Sequence, residues 1–188
     1  MYIINILYIY YMGAGILPIA LYNGTLFVLL GKERYKENNK YLWCDFGGSV
    51  DKKNKSEINN PYYTAIREGT EELNGLFGNF NILKRKVDDN YISNFSNTDN
   101  TYHSFLFNVH YDTNLPIYFK NQNKFIEEHL SDIVSHNNGL FEKTEIKWFT
   151  IKQLDNLVNK NKSTIRKHFV SIVKQIIKNH QNIIHEIS

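Results

Sequence analysis

A chain of 188 residues is long enough for one domain with a substantial core, and 42% hydrophobic with 22% charged residues is the composition of a globular protein. A net charge of +3 is too small to indicate a nucleic-acid partner by itself. The one cysteine, Cys44, excludes a disulfide framework within the chain and a thiolate zinc cluster. We therefore expect a reducing, cytoplasmic (intracellular) compartment, and we expect Cys44 to be a packing residue in its aromatic, apolar segment.

The first stretch of the chain is strongly apolar, with no charged side chain before Lys32. A signal peptide would carry a basic region, and a membrane-spanning helix needs about 20 uninterrupted apolar residues. Neither fits, because the stretch is interrupted at Asn5, Gly13, Gly15 and Pro18. We predict β-strands here and no membrane segment, with residues 1–12 as an apolar extension or edge strand and residues 13–188 as the domain.

Turn signals divide the following residues into short strands. Residues 16–22 and 25–31 flank Asn23-Gly24, the strongest short hairpin signal, and are predicted to pair. We then expect a charged loop at 32–40, a strand at 41–46 that ends at Gly47-Gly48, and a polar loop at 49–60.

A helix start is marked by Asn60 at the N-cap position and Pro61 in the first turn, and the helix is predicted to run to about Asn74 and end at Gly75. Beyond it we predict a strand at 80–87, a mobile loop at 88–100, a strand at 102–111, a short helix at 125–134 and a strand at 146–149. Thr150 is expected to cap a helix to about Val158, and Ser163 a longer amphipathic helix. This order predicts an α/β or α+β domain with one mixed sheet covered by helices.

Two faces of the helix that begins at Pro61 carry different chemistry. At about 100° per residue, Tyr62, Ile66, Gly69 and Leu73 form a stripe that we expect to be buried. A separate face carries Glu68, Glu71 and Glu72, which repel one another by about 0.2–0.5 kcal/mol per pair. Such a patch is either solvated surface or a set of oxygen ligands for a hard divalent cation. The helix alone does not decide between the two.

The segment before the helix favours metal binding. A strand ends in Phe46-Gly47-Gly48, and paired glycines let the backbone approach a ligand closely. Strand, Gly-Gly, loop and acidic helix together resemble the Nudix box, whose pattern is Gly, five residues, Glu, seven residues, then Arg-Glu-hydrophobic-any-Glu-Glu-any-Gly-hydrophobic. Its Arg-Glu-x-x-Glu-Glu core is complete at Arg67, Glu68, Glu71 and Glu72. With Trp43 upstream and Glu145-Ile-Lys-Trp148 downstream, the resemblance spans roughly residues 14–158.

The sequence departs from the Nudix pattern at several points. The spacing from Gly48 to Arg67 is five residues longer than the pattern, so the loop carries an insertion. The first Glu of the pattern has no clean counterpart, although Glu57 is nearest and Asp51 supplies an acidic group soon after the glycines. Gly69 replaces an apolar residue, at a cost of about 1 kcal/mol in helix propensity that close packing would offset. One extra residue precedes Gly75.

The resemblance implies a Nudix-like α/β/α sandwich that uses Mg²⁺ or Mn²⁺ to drive attack of water on a diphosphate linkage. It implies that Glu68 and Glu72 are metal ligands, that Glu71 is a ligand or activates water, that Gly48 belongs to the metal site, and that Arg67 orients the carboxylates. Glu142 and then Glu145 are our candidates for a further catalytic Glu. Arg34, Lys32 and Lys53 are candidates for binding substrate phosphates.

The resemblance indicates a small-molecule nucleotide or nucleotide derivative as the substrate, without selecting one. Capped RNA is an alternative substrate, because the AT-rich codon bias and the atypical box resemble Nudix proteins of large DNA viruses. A second class of function is a Nudix-fold nucleotide-binding module without catalysis, against which the intact Glu68, Glu71 and Glu72 argue. A surface helix on an unrelated α/β protein is the third alternative.

Overall fold

The computed structural model describes residues 13–35, 40–54, 56–57, 60–130, 132 and 141–188. The predicted extension at residues 1–12 lies outside the described residues, so its division from the domain stays a prediction. Among the helices in the described ranges, none combines the length and the apolarity needed to cross a bilayer.

Seven strands within these ranges form one mixed sheet. They are β1 (Gly13–Tyr22), β2 (Thr25–Tyr35), β3 (Lys40–Cys44), β4 (Phe46–Ser49), β5 (Tyr91–Ser96), β6 (Tyr102–Asn108) and β7 (Lys143–Thr150). The sheet runs β3-β2-β1-β6-β5, and β4 adds to β1 while β7 adds to β2. The β1–β6 pair is parallel and the other pairs are antiparallel, which confirms the predicted mixed sheet.

β1 and β2 pair with each other at one end only, and the sheet opens where each strand begins to pair with a different neighbour. Residues 19–22 of β1 pair with residues 25–28 of β2. Farther along, residues 13–16 of β1 pair with β4, whereas residues 31–35 of β2 pair with β3. The end of β3 and the start of β4 therefore meet at Asp45, where β1 and β2 diverge, and polar side chains gather at this point.

Helices cover both faces of the sheet. The described residues form α1 (Pro61–Glu72), α2 (Phe80–Asp89), α3 (Leu115–His129), α4 (Ile151–Lys160) and α5 (Val170–Ile187). Side chains alternate along β1, so that Leu17 and Ile19 join a core with α4 and α5 while Ala14, Ile16 and Ala20 join a core with α1, α2 and α3. These three layers are the predicted α/β/α sandwich.

The start of α1 follows its sequence signals. The Asn60 side chain accepts a hydrogen bond of 3.0 Å from the backbone N–H of Tyr62, and Pro61 occupies the first turn. At the other end, Asn74 and Gly75 both have positive φ, 51° and 70°, which ends the helix where predicted.

The predicted apolar stripe of α1 packs on β1. Ile66 and Leu73 are buried, and Tyr62 is partly buried against the same core. Gly69 lies so close to β1 that an added Cβ would overlap the side chain of Ile16. The glycine therefore lets α1 approach the sheet, and this contact sets the distance of the acidic helix face from the strand ends.

Two predictions between α1 and β6 were wrong. Residues 80–87 form a helix and not a strand, because Asn79 caps it by accepting from the backbone N–H of Ile82 at 3.1 Å and because Leu83 and Val87, one turn apart, are the buried residues. Residues 88–100 contain strand β5 and not only a loop. This edge strand pairs with one neighbour, β6, and its polar residues remain partly exposed.

Other boundaries differ because of tertiary contacts. β2 extends through residues 32–35, which were predicted as loop, since β3 and β7 pair with it there. The segment predicted as one strand at 41–46 divides at Asp45 into β3 and β4. α3 begins at Leu115, ten residues before the predicted start. Ser163 does not cap a long helix, because Ile165 bridges to Trp43 of β3 and α5 starts only at Val170.

Candidate active site

An open cleft of about 620 Å³ lies between the acidic face of α1 and the diverging ends of β1 and β2. Six carboxylates and two guanidinium groups line the cleft, together with the Gly47–Ser49 backbone. They are Glu33, Asp51, Glu68, Glu71, Glu72, Glu142, Arg67 and Arg166. The cleft therefore brings together residues that are far apart in the sequence and gives them a strong excess of negative charge.

Arg67 contacts several polar groups in the cleft wall on the α1 side. Its Nε and Nη2 donate to the two carboxylate oxygens of Glu57 at 2.9 and 3.1 Å. Nη2 also lies 2.8 Å from Glu68, and Nη1 lies 3.2 Å from Glu71. A further bond of 3.1 Å to the carbonyl oxygen of Ser49 ties the guanidinium to the end of β4. Arg67 thus orients two of the predicted metal ligands, as the sequence resemblance implies.

Glu57 is the buried anchor of this network, with 1% of its surface exposed. Besides Arg67, it accepts hydrogen bonds from the backbone N–H of Asp51 at 3.0 Å, from the Asn54 amide at 3.1 Å and from the Thr64 hydroxyl at 3.0 Å. Burial alone would raise the pKa of Glu57, but Arg67 and these donors hold it below its ordinary value. The ionised Glu57 therefore closes the inserted loop onto α1.

Glu68 and Glu71 line the cleft, and fewer hydrogen-bond donors balance their negative charge than balance that of Glu57. Burial raises the pKa of Glu68 to about 7 although Arg67 opposes the shift, and it raises the pKa of Glu71 in the same way. The Glu68 carboxylate lies against the backbone of Gly48, where an added Cβ would overlap it. A residue with a side chain at position 48 would therefore displace Glu68, which explains the need for glycine here.

Glu72 is buried and belongs to a second polar cluster behind the cleft. Its Oε2 accepts a hydrogen bond of 2.7 Å from the backbone N–H of Gly47, and its Oε1 lies 3.1 Å from the ammonium of Lys143. The same ammonium lies 2.7 Å from Glu33 Oε2 and 2.9 Å from the Cys44 sulfur. Arg166, which precedes α5, forms an ion pair with the other oxygen of Glu33.

Lys143 and Glu33 stabilise each other's charged form in this second cluster, whereas burial raises the pKa of Glu72 well above its ordinary value although Lys143 opposes the shift. Burial alone would lower the pKa of Lys143, but the carboxylates around it hold it well above its ordinary value. Burial would likewise raise the pKa of Glu33, yet Lys143 and Arg166 hold it below its ordinary value. Burial raises the pKa of the Cys44 thiol to about 12, so the cysteine is a buried neutral acceptor, consistent with its predicted packing role.

Asp45 links the junction of β3 and β4 to β6. It is buried and accepts hydrogen bonds from the Tyr102 hydroxyl, at 2.9 Å, and from the Ser104 hydroxyl. An added Cβ on Gly47 would overlap the Tyr102 hydroxyl, so this glycine is also required by close packing. Burial raises the pKa of Asp45 to about 6, against the effect of these two donors.

The remaining predicted site residues are dispersed. Glu142 lines the cleft, but Glu145 is exposed and forms an ion pair of 3.2 Å with Lys32, whose ammonium lies over the Trp43 ring. Lys53 is exposed on the inserted loop. The backbone of Arg34 is in β2, but its side chain lies outside the described part of the structure. Among the described residues, those that line the cleft include Glu142 and none of Glu145, Lys32 and Lys53.

Three residues of the second cluster were missed in the sequence. Glu33 lies in a charged segment that was predicted as loop, although a charge that directly follows an apolar strand was an available signal. Lys143 lies between the two candidates Glu142 and Glu145, but nothing in its local sequence indicates burial. Arg166 lies within a segment predicted as helix, and only the pairing of Ile165 with Trp43 brings it to Glu33.

The residues of the cleft fit a divalent cation. Their donors are carboxylate oxygens, which Mg²⁺ and Mn²⁺ prefer. One carboxylate oxygen from each of Glu33, Glu72 and Glu142 also lies within 4.8 Å of the other two. A cation in the cleft would relieve the repulsion among these groups.

The overall arrangement matches solved structures. A Nudix hydrolase from M. smegmatis, RenU, matches 92% of this chain and 88% of its own, with a TM-score of 0.54 and 14% sequence identity. A C. elegans Ap4A hydrolase in a binary complex has a TM-score of 0.47 at 13% identity, over 90% of this chain and 97% of that one. The NUDIX domain of Shewanella oneidensis NrtR complexed with ADP ribose has a TM-score of 0.42 at 8% identity, over 90% and 88%.

No family model and no curated protein matches the sequence. The assignment of the fold therefore depends on the three-layer architecture, on the position of the acidic helix beside the Gly-Gly strand end, and on the likeness to RenU. On these grounds, the chain has the fold of the Nudix hydrolases.

Proposed function

We propose that this chain is a Mg²⁺- or Mn²⁺-dependent hydrolase that cleaves a diphosphate linkage in a nucleotide or nucleotide derivative. The observation that carries the proposal is the convergence of Glu68, Glu71 and Glu72 on one cleft, with Arg67 orienting two of them. A helix that served only as solvated surface would have no need of the buried Arg67–Glu57 pair behind it.

Glu68, Glu71 and Glu72 would hold the metal, together with the Gly48 backbone. When bound, the metal would neutralise phosphate charge and make hydroxide available at neutral pH. Arg67 would keep the carboxylates in place, since its guanidinium contacts Glu68, Glu71 and Ser49 at once. Glu71, the more exposed of its two carboxylate partners on α1, would position the attacking water.

Glu142 is our first candidate for the further catalytic Glu, because it lines the cleft opposite α1. Glu145 is a weaker candidate, since it pairs with Lys32 away from the cleft lining. For the phosphates of the substrate, we keep Arg34, Lys32 and Lys53 as candidates and add Arg166, which lines the cleft and presents a guanidinium suited to phosphate oxygens.

A product-resolved hydrolysis screen tests this proposal. The substrates are ADP-ribose, dinucleoside polyphosphates, nucleoside triphosphates, diphosphoinositol polyphosphates and cap-labelled RNA, each with Mg²⁺, with Mn²⁺ and with a chelator. Metal-dependent turnover of one class supports the proposal and identifies the substrate. Turnover of capped RNA alone would select the decapping alternative, and nucleotide binding without turnover would select a non-catalytic binding module.

A further inference from the structure

The ammonium of Lys143 occupies a position that resembles a cation site. Three carboxylates, Glu33, Glu72 and Glu142, place oxygens within 4.8 Å of one another, and two of them contact the ammonium at 2.7 and 3.1 Å. All three carboxylates line the cleft, whereas Lys143 is completely buried behind it.

The pairing of β7 with β2 brings Lys143 to this position. Lys143 of β7 pairs with Glu33 of β2, and its stem runs past Gly31. An added Cβ on Gly31 would come within 2.9 Å of the Lys143 Cδ and of the Phe46 ring. Only a residue without a side chain at position 31 leaves room for the lysine, so the path of its stem is a specific feature of this fold.

Every hydrogen-bond donor of the Lys143 ammonium also has an acceptor. Its three N–H donors have three acceptors, Glu33 Oε2, Glu72 Oε1 and Cys44 Sγ. Removing a buried cation from such a cluster leaves carboxylates without compensation, which is strongly unfavourable unless another cation replaces it.

We propose that Lys143 is a built-in cation that fills the innermost cation position of the cleft, between Glu33 and Glu72, so that this position needs no divalent ion. Metal ions are then confined to the outer part of the cleft, where Glu68, Glu71 and the remaining lone pairs of Glu72 would hold them. Glu72 is held in place by Lys143 on one oxygen and by the Gly47 N–H on the other. The inference rests on the proposed function for its account of the outer metal ions.

The test uses Lys143→Met, which keeps an unbranched side chain out to Cε and removes the ammonium. Bound Mn²⁺ is counted by equilibrium dialysis, and the unfolding temperature is measured with and without Mn²⁺. We expect the variant to bind one more Mn²⁺ per chain than the wild type, to unfold at a lower temperature without metal, and to gain more from Mn²⁺ than the wild type does. Lys84→Met, which removes an exposed ion pair with Asp88, is the control and should change neither the count nor the gain.

An equal Mn²⁺ count and an equal thermal gain in wild type and Lys143→Met would overturn the inference. If Lys143→Met is unfolded without metal, recovery of the fold in Mn²⁺ supports it. Glu33→Gln/Lys143→Met removes the pair together and should fold with the wild-type Mn²⁺ count. A double variant that folds while Mn²⁺ fails to restore the single variant contradicts the inference, and so does a double variant that is unfolded.

The two proposals fail in different ways. A wild type that binds Mn²⁺ but hydrolyses none of the substrates contradicts the proposed function and leaves the extra Mn²⁺ of Lys143→Met as a valid test. A wild type with metal-dependent turnover, together with an unchanged Mn²⁺ count in Lys143→Met, contradicts the inference alone.

Discussion

Arg67 and Glu57 form a bidentate ion pair, with Nε 2.9 Å from Oε1 and Nη2 3.1 Å from Oε2, across the end of the inserted loop. The pair joins Glu57, the residue nearest in sequence to the first Glu of the Nudix pattern, to the Arg of the core motif, although the spacing to Arg67 is longer than the pattern allows. It also explains how the loop tolerates an insertion, because both of its ends remain anchored to α1 through one buried carboxylate.

We predict that Arg67→Met lowers the free energy of unfolding by about 3 kcal/mol, because Glu57 then remains buried without its cation. Urea unfolding of wild type and variant measures the loss. In Glu57→Gln/Arg67→Met the loss should be smaller than the sum of the two single losses by about 1 kcal/mol or more. Asp51→Asn combined with Arg67→Met is the control and should be nearly additive. Additive losses for Glu57 and Arg67 would contradict the prediction.

The second prediction concerns the close contact of Gly69 with Ile16 and its effect on stability. Alanine is the better helix former by about 1 kcal/mol, but an added Cβ must displace Ile16, and overpacking of this kind costs about 1–3 kcal/mol. We therefore expect Gly69→Ala to be less stable than wild type in thermal or urea unfolding. In the background of Ile16→Ala, which makes room, the same substitution should be stabilising. Increased stability of Gly69→Ala in the wild-type background would show that α1 does not lie this close to β1.

His168, whose ring is tilted by 45° against that of Tyr102 with the ring centroids 4.4 Å apart, makes the stability of the fold depend on pH. Burial and the nearby Arg166 lower the pKa of His168 to about 4, from an ordinary value of 6.5. Between these two pH values the unfolded chain binds the proton and the folded chain does not, so stability is lost as pH falls from 6.5 to 4 and is complete above 6.5.

His168→Gln should remove this part of the pH dependence, which amounts to at most about 3 kcal/mol. Urea unfolding at several pH values between 4 and 7 measures the slope for both proteins, and NMR titration of the His168 ring measures its pKa directly. His180→Gln, on the partly exposed face of α5, is the matched control. Equal slopes for wild type and His168→Gln would contradict the prediction.

The sequence predicts those parts of the fold that local signals control. The hairpin at Asn23-Gly24, the cap of α1 at Asn60 and the capping box of α4 at Thr150 all occur as predicted, because each depends on residues a few positions apart. The predictions that were wrong concern segments whose structure depends on tertiary contacts. Residues 88–100 look like a loop but form β5 through pairing with β6, and the region after Ser163 is held out of a helix by the contact of Ile165 with Trp43.

The same distinction applies to the candidate site. The carboxylates of α1 share one helix face, so their spacing places them together, and the Gly47-Gly48 strand end before the helix is what favours metal binding over solvated surface. Glu33, Lys143 and Arg166 belong to three different segments, and only the pairing of β2 with β7 and the path of the chain after α4 bring them into contact. A buried lysine has no local sequence signature, because its burial depends on the carboxylates that the fold places around it.

We propose that the acidic face of α1 holds a catalytic metal. The most direct measurement is the Mg²⁺-dependent rate of hydrolysis of the best substrate by wild type, Glu68→Gln and Glu127→Gln, the last being an exposed glutamate of α3. Glu68→Gln should be slower by at least about 100-fold, which corresponds to about 2.7 kcal/mol of lost transition-state stabilisation, while Glu127→Gln should match wild type. Equal rates for all three proteins would contradict the assignment of the acidic face as the metal site.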